Sequence, residues 1–229
     1  MKVILLQRIC FVMLLLGVKL PFVSAQSSMQ IQHQVTLGDV PLSLGVWQKT
    51  DSNVNVRIDK LRWYVSMPPA EKKGFNAWLL DLSDSASLHQ VYLYPNRSGS
   101  FNRNISLLFG IDSSIQVNGV GTGALDPIRG MYWTWQTGYV QWKMEGLIRV
   151  NGVESPLELH LGGFEGSTKT QMPLSMESIN GRWNSVVATW DLSGFLAYVV
   201  SQKKYGVMSP SPIARDYCRI IANGVSFHN

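Results

Sequence analysis

Cysteine is almost missing from this chain. Its 229 residues hold two, Cys10 and Cys218. Cys10 falls inside residues 1–25, which read as an export signal: Lys2 and Arg8, an apolar run over 9–18, then Val23-Ser24-Ala25 with small residues at positions −3 and −1 before Gln26. Cleavage there leaves one thiol, so no intramolecular disulfide is possible. The exported chain of about 200 residues must hold itself together through its core. The signal's apolar run is too short for a membrane span, with Lys19 and Pro21 close behind it, and no other segment reaches spanning length. A lipobox cysteine is absent, so no lipid anchor is expected. Clusters of Lys or Arg with interleaved aromatics are also missing. Removing Lys2, Arg8 and Lys19 leaves 17 basic against 15 acidic residues, so the formal charge of +5 says little about nucleic acid or anionic lipid. CxxC, HxH and HxxxH spacings do not occur, which excludes a metal site made by one short segment. The GxSxG elbow of α/β-hydrolases is absent. Long helical periodicity is scarce.

What remains is period two. Met29, Ile31, Val35 and Leu37 share one phase, with His33 among them. Val54, Val56 and Ile58 share a phase, while Leu61, Trp63, Val65 and Met67 hold the other, so a bulge or turn near Asp59-Lys60 must shift the register. Val140, Trp142, Met144, Ile148 and Val150 alternate with polar residues, as do Leu157, Leu159 and Leu161 with Glu158 and His160. Turn signals at 67–69, 96–99, Asn118-Gly119, Asn151-Gly152 and Asn180-Gly181 separate short strands. The pattern predicts an all-β fold, an antiparallel β-sandwich of one domain over residues 26–200. Residues 193–204 fit either a short helix or a strand. Residues 201–229 read as an irregular polar tail. Internal repeats and low-complexity tracts are absent.

Within this frame the segment Tyr132-Trp133-Thr134-Trp135-Gln136-Thr137-Gly138-Tyr139 stands out. Two indoles two apart on a strand share a face. They serve either as an aromatic core patch or as a ligand-stacking platform. Of four histidines, His33 sits in a buried phase, as a satisfied core imidazole or an inward metal ligand. His160 sits opposite its leucines, as a solvated residue or a ligand. His89 lies near a loop and His228 beside the C-terminus, where it is expected to be mobile. Any metal site must therefore be assembled from distant strands. Cu(I), content with two or three soft or imidazole donors, suits so sparse a set better than structural Zn²⁺, which takes four. Met131 and Met144 lie close enough in sequence to offer a thioether, or to fill the core. The glycines of 119–123 lead into a loop and not a helix, a poor phosphate cradle.

Taken together, Asp126-Pro127-Ile128-Arg129-Gly130-Met131-Tyr132-Trp133-Thr134-Trp135-Gln136-Thr137-Gly138-Tyr139 and Glu158-Leu159-His160-Leu161-Gly162 resemble the MbnP-like proteins, exported copper-binding proteins with a W-x-W-x-x-G-Y segment followed by an H-L-G strand. His33-Gln34-Val35 before Gly38-Asp39-Val40-Pro41-Leu42, and Tyr64-Val65-Ser66, are similar to flanking family strands. The resemblance spans residues 30–195. It implies that the first indole, Trp133, is oxidised to kynurenine by a partner dihaem enzyme of the MauG and cytochrome c peroxidase type. It further implies that the kynurenine joins histidines to hold one copper ion. By position His160 is the first histidine ligand and His33 the second, while Trp135 supports the oxidation as a relay or packing partner. Family cysteines after the P-L and H-L-G motifs are absent, with Leu44 and Gly166 in those neighbourhoods.

The expectation is thus a periplasmic or secreted monomer of copper homeostasis, not itself an enzyme. Two competitors come from other classes. One is a binding module stacking a sugar or aromatic ligand on Trp133 and Trp135. The other is a hydrolase using carboxylates among Asp126, Glu154 and Glu158.

Overall fold

The computed structural model describes residues 26–50, 54–67, 77–95, 105–134, 136–176 and 185–228. The signal segment, the turns at 68–69, 96–99 and Asn180-Gly181, and Trp135 lie outside them. Length predicts one unit. The chain divides into two compact units: residues 1–27 with 93–99, and residues 28–92 with 100–229. Of the first, only strand residues 26–27 and 93–95 are described. The second carries the core.

Two sheets face each other there. The smaller has the order β14 (Val225–His228), β12 (Ser185–Asp191), β1 (Gln26–Leu37), β2 (Val40–Pro41), with β6 (His89–Pro95) also beside β1. The larger runs β11 (Met172–Met176), β7 (Ile105–Phe109), β4 (Asn55–Ser66), β9 (Gly138–Val150), β10 (Val153–Gly162), β13 (Gly206–Val207). β3 (Trp47–Lys49) and β5 (Ala77–Asp81) pair with β4, and β8 (Tyr132–Thr134) pairs with β9. The expected all-β sandwich is present, but it is not wholly antiparallel. β1 lies parallel to β12, and β10 parallel to β13. No hairpin joins either pair. Long connections free the strands from the antiparallel geometry that a tight turn imposes.

Alternation places the core. Val56, Ile58, Leu61, Trp63 and Val65 are buried on β4, and the change of phase between them is a register shift at Ile58 to Lys60 against β9. Gly146 of β9 pairs with Ile58 at that irregularity, and a Cβ there would lie 2.0 Å from the Arg57 carbonyl oxygen. Asn151-Gly152, both at positive φ (51° and 81°), close the β9–β10 hairpin as the Asn-Gly signal requires. Trp142 and Met144 of β9 and Leu157, Leu159 and Leu161 of β10 face inward with almost no exposure. Trp190 of β12 meets them from the smaller sheet, its ring 5.4 Å from Trp63, 6.2 Å from Trp142 and 5.5 Å from Phe109. Offset and edge-on aromatic pairs at such distances add attraction beyond burial alone.

The ambiguous residues after Ser193 form helix α2 (Ser193–Gln202), following the short α1 (Ser113–Val117). The expected irregular tail is corrected. Residues 201–229 contain β13, helix α3 (Pro212–Asn223) and β14, which pairs with β12. Ser211 caps α3 through Ala214 N–H, with Pro212 in the first turn. Ala214, Tyr217, Cys218 and Ile221 form its buried stripe at helical spacing. Arg215, Asp216 and Arg219 on the other face gave that stripe its polar look. His228, expected to be mobile, sits in β14 opposite Val187.

His33 is a core residue, 2% exposed, and its Nδ1 accepts a hydrogen bond from Trp190 Nε1–H at 3.2 Å. Burial, with His89 a lesser influence, pushes its pKa down to about 3. The unfolded chain therefore takes up this proton near pH 6.5 while the native state refuses it until about pH 3. Stability must fall as pH drops through that window, by about 1.4 kcal/mol per unit. Between pH 7 and 5, urea unfolding should show a shallower loss for His33→Gln than for the parent. Parallel losses would contradict the assignment. Separately, Gly146→Ala should cost about 2 kcal/mol or more in the same assay, since backbone must move to admit the methyl group. An unchanged midpoint would show that the strands tolerate it.

Candidate functional site

The segment leading to Trp133 is built as a short clamp. Asp126 Oδ1 accepts from Ile128 N–H at 3.0 Å, Pro127 starts a single 3₁₀ turn, and Gly130 closes it at φ 70°. Arg62 Nη1 donates to the Arg129 carbonyl at 3.0 Å, and Lys143 Nζ to that of Gly130 at 3.3 Å. The chain then enters β8, paired to β9 through Tyr132 opposite Tyr139. Trp133 is half-buried. It packs with Tyr64, Ile111, Ile115, Met131, Tyr139 and Val140. The edge of its indole reaches β10: a Cβ added to Gly162 would lie 2.7 Å from Trp133 Cζ3. Glycine at 162 is what lets the ring come against the strand backbone. The two halves of the sequence motif, separated along the chain, thereby meet in space two residues beyond His160.

His160 alternates with buried Leu159 and Leu161 and so points away from the core, beside its cross-strand partner Lys143. Its side chain is only 12% exposed. Nε2 lies 2.8 Å from Glu145 Oε1. The same carboxylate receives Lys60 Nζ at 2.7 Å and Lys143 Nζ at 3.3 Å. Partial burial alone would raise the Glu145 pKa. Hydrogen bonds from Lys60 and His160, with the charge of Lys143, outweigh it and hold the value at about 2. Burial pushes the His160 imidazole below its usual value, opposed by Glu145. Near neutral pH it is therefore an uncharged imidazole, the form that ligates metals.

Trp133 and His160 are brought to one neighbourhood; His33 is not. His33 binds Trp190, which packs on the inner faces of Trp63 and Trp142, whereas His160 projects from the opposite side of that sheet. In neutral His33 the nitrogen lone pair is also already engaged by the Trp190 N–H. Met131 shares the cluster of Trp133, while Met144 faces the core between Leu61 and Leu159. The carboxylates proposed for hydrolysis are dispersed: Asp126 caps its turn, Glu154 pairs with Arg149 at 2.8 Å, and Glu158 is exposed on β10. Among the described residues no group of three or more His, Cys, Asp and Glu stands ready to hold a metal.

Sequence reading missed Glu145. Its signal was present: in β9 it shares the outward phase of Lys143, which a two-residue hairpin at Asn151-Gly152 sets opposite His160. Arranged this way, the neighbourhood holds one imidazole on β10 and, two residues further along that strand, the edge of an indole.

Among the described residues no helix is long and apolar enough to cross a membrane. No curated protein matches the chain. A solved structure of MbnP from Methylosinus trichosporium is similar at 13% sequence identity, over 76% of this chain and 78% of that one, with a TM-score of 0.49. The family model described as MbnP matches residues 25–209, which includes both motif segments and every strand of the larger sheet: the chain belongs to the MbnP family.

Proposed function

We propose that this protein is an exported copper-binding protein of copper homeostasis, and that its site is His160 together with Trp133 remade as kynurenine. The observation that carries the reading is the contact of the Trp133 indole with Gly162, at the end of the strand that presents His160. Indole is a poor metal donor because its nitrogen lone pair belongs to the ring π-system. Kynurenine exposes an aniline nitrogen and a carbonyl, and would add a donor beside an imidazole that is neutral at physiological pH. Bound copper would supply one soft cation centre, and this set suits Cu(I), which accepts few ligands. Met131 belongs to the buried cluster against which Trp133 packs. His33, in the core, is left outside the proposed site.

The residues that carry the proposal do other work as well. Arg62 and Lys143 pin the carbonyls that precede β8, so Trp133 is held at a half-exposed position and not swallowed by the core. A partner dihaem enzyme of the MauG and cytochrome c peroxidase type would oxidise it there, with Trp135 in support. The protein itself performs no catalysis in this reading. The runner-up, a module stacking a sugar on Trp133 and Trp135, gains nothing from the geometry, because part of the Trp133 ring already rests on Gly162.

Peptide mass spectrometry of protein from the producing organism should find kynurenine at position 133. Intact tryptophan there in copper-loaded protein contradicts the proposal. His160→Ala should weaken Cu(I) binding at least tenfold, about 1.4 kcal/mol, in a chelator competition titration. An unchanged titration removes His160 from the site.

A further inference from the structure

We propose that Glu145 is the positioning residue of the site: it fixes the His160 tautomer so that Nδ1 is the nitrogen offered to metal, and through Lys143 it ties the imidazole to the segment that carries Trp133. The inference rests on the copper-binding reading and extends it to residues that no motif marks.

The geometry runs in one direction. Glu145 Oε1 lies 2.8 Å from His160 Nε2, and its two oxygens receive Lys60 at 2.7 Å and Lys143 at 3.3 Å. A carboxylate between two ammonium groups accepts hydrogen bonds and donates none. In the neutral imidazole Nε2 therefore carries the hydrogen, and the lone pair sits on Nδ1. No other hydrogen bond to His160 is present among the described residues. A carboxylate on the distal nitrogen of a histidine is the arrangement that orients metal ligands and makes them more basic. Neutral His33 is the same tautomer, but its Nδ1 lone pair is already taken by the Trp190 N–H.

Lys143 links the carboxylate to the segment before β8. Its Nζ contacts Glu145 Oε1 and the Gly130 carbonyl, both at 3.3 Å. Gly130 precedes Met131-Tyr132-Trp133. One carboxylate thus holds the ring of His160 on one side and, through one ammonium, the entry of β8 on the other. Lys60 completes the set from β4, opposite Glu145 in the register. The cluster lies on three strands, where side-chain direction is set by alternation and not by loop conformation.

The test uses protein purified from the producing organism, with Cu(I) as the probe, and the same variants labelled with ¹⁵N-histidine in the metal-free state. In the parent, His160 should show the Nε2–H tautomer by ¹⁵N–¹H correlation spectroscopy. Glu145→Leu should mix the tautomers and weaken Cu(I) binding tenfold or more, within the range that such outer partners command. Glu145→Gln, which retains an acceptor, should restore the tautomer and most of the affinity. Glu145→Leu added to His160→Ala should cost nothing further. An unaltered tautomer in folded Glu145→Leu, or equal affinity, overturns the inference. A parent that binds no Cu(I) overturns the functional reading instead, and the tautomer measurement still decides the role of Glu145.

Discussion

The outer-face cluster depends on the alternation of β9 and β10 up to the register shift between Leu161 and Gly162. Trp142, Met144, Leu159 and Leu161 turn one way and meet Trp190 from the other sheet, closing a core without a disulfide. Lys143, Glu145 and His160 necessarily turn the other way. A slip of one residue in β9 would turn Lys143 and Glu145 inward and expose Trp142 and Met144. The hydrophobic face thus does more than stabilise. It dictates which polar groups share the opposite face, and in what order.

That order brings His160, Glu145 and the edge of Trp133 to one part of the outer face. His160 is nearly buried yet lies outside the core, held by Glu145 and spared protonation by partial desolvation. Trp133 reaches the same strand from a separate hairpin because residue 162 has no side chain. Neither motif half makes a site alone. In the proposed reading, the missing donor is generated by oxidation at a ring that the fold keeps half-exposed, while the indoles of Trp63, Trp142 and Trp190 are fully enclosed.

Much of the fold was legible because period two is a local signal. The phase change near Asp59-Lys60 foretold the irregularity of β4, and Asn151-Gly152 foretold the tight hairpin. The burial of Ile31, His33, Val35 and Leu37 followed from their shared phase. Parallel pairing of β1 with β12 was not legible, because partners 155 positions apart leave no turn signature. Nor was α3, whose apolar stripe of four residues hides among charges. At the site, the outward phase of His160 and the special status of Trp133 could be read directly. The distance of His33 from both could not, since an inward phase does not say which sheet it looks toward. Glu145 was overlooked because it meets His160 diagonally across the β9–β10 pair, and register is fixed only once the hairpin is known.

In the proposed reading, Trp133 and His160 form one copper site on the outer face of the larger sheet. Anomalous diffraction at the copper edge, on crystals of protein isolated from the producing organism, tests it most directly. The account predicts a copper peak beside His160 Nδ1, with an opened ring at position 133 within bonding reach. A peak in the core at His33, or an intact indole at 133 with copper bound elsewhere, would contradict it.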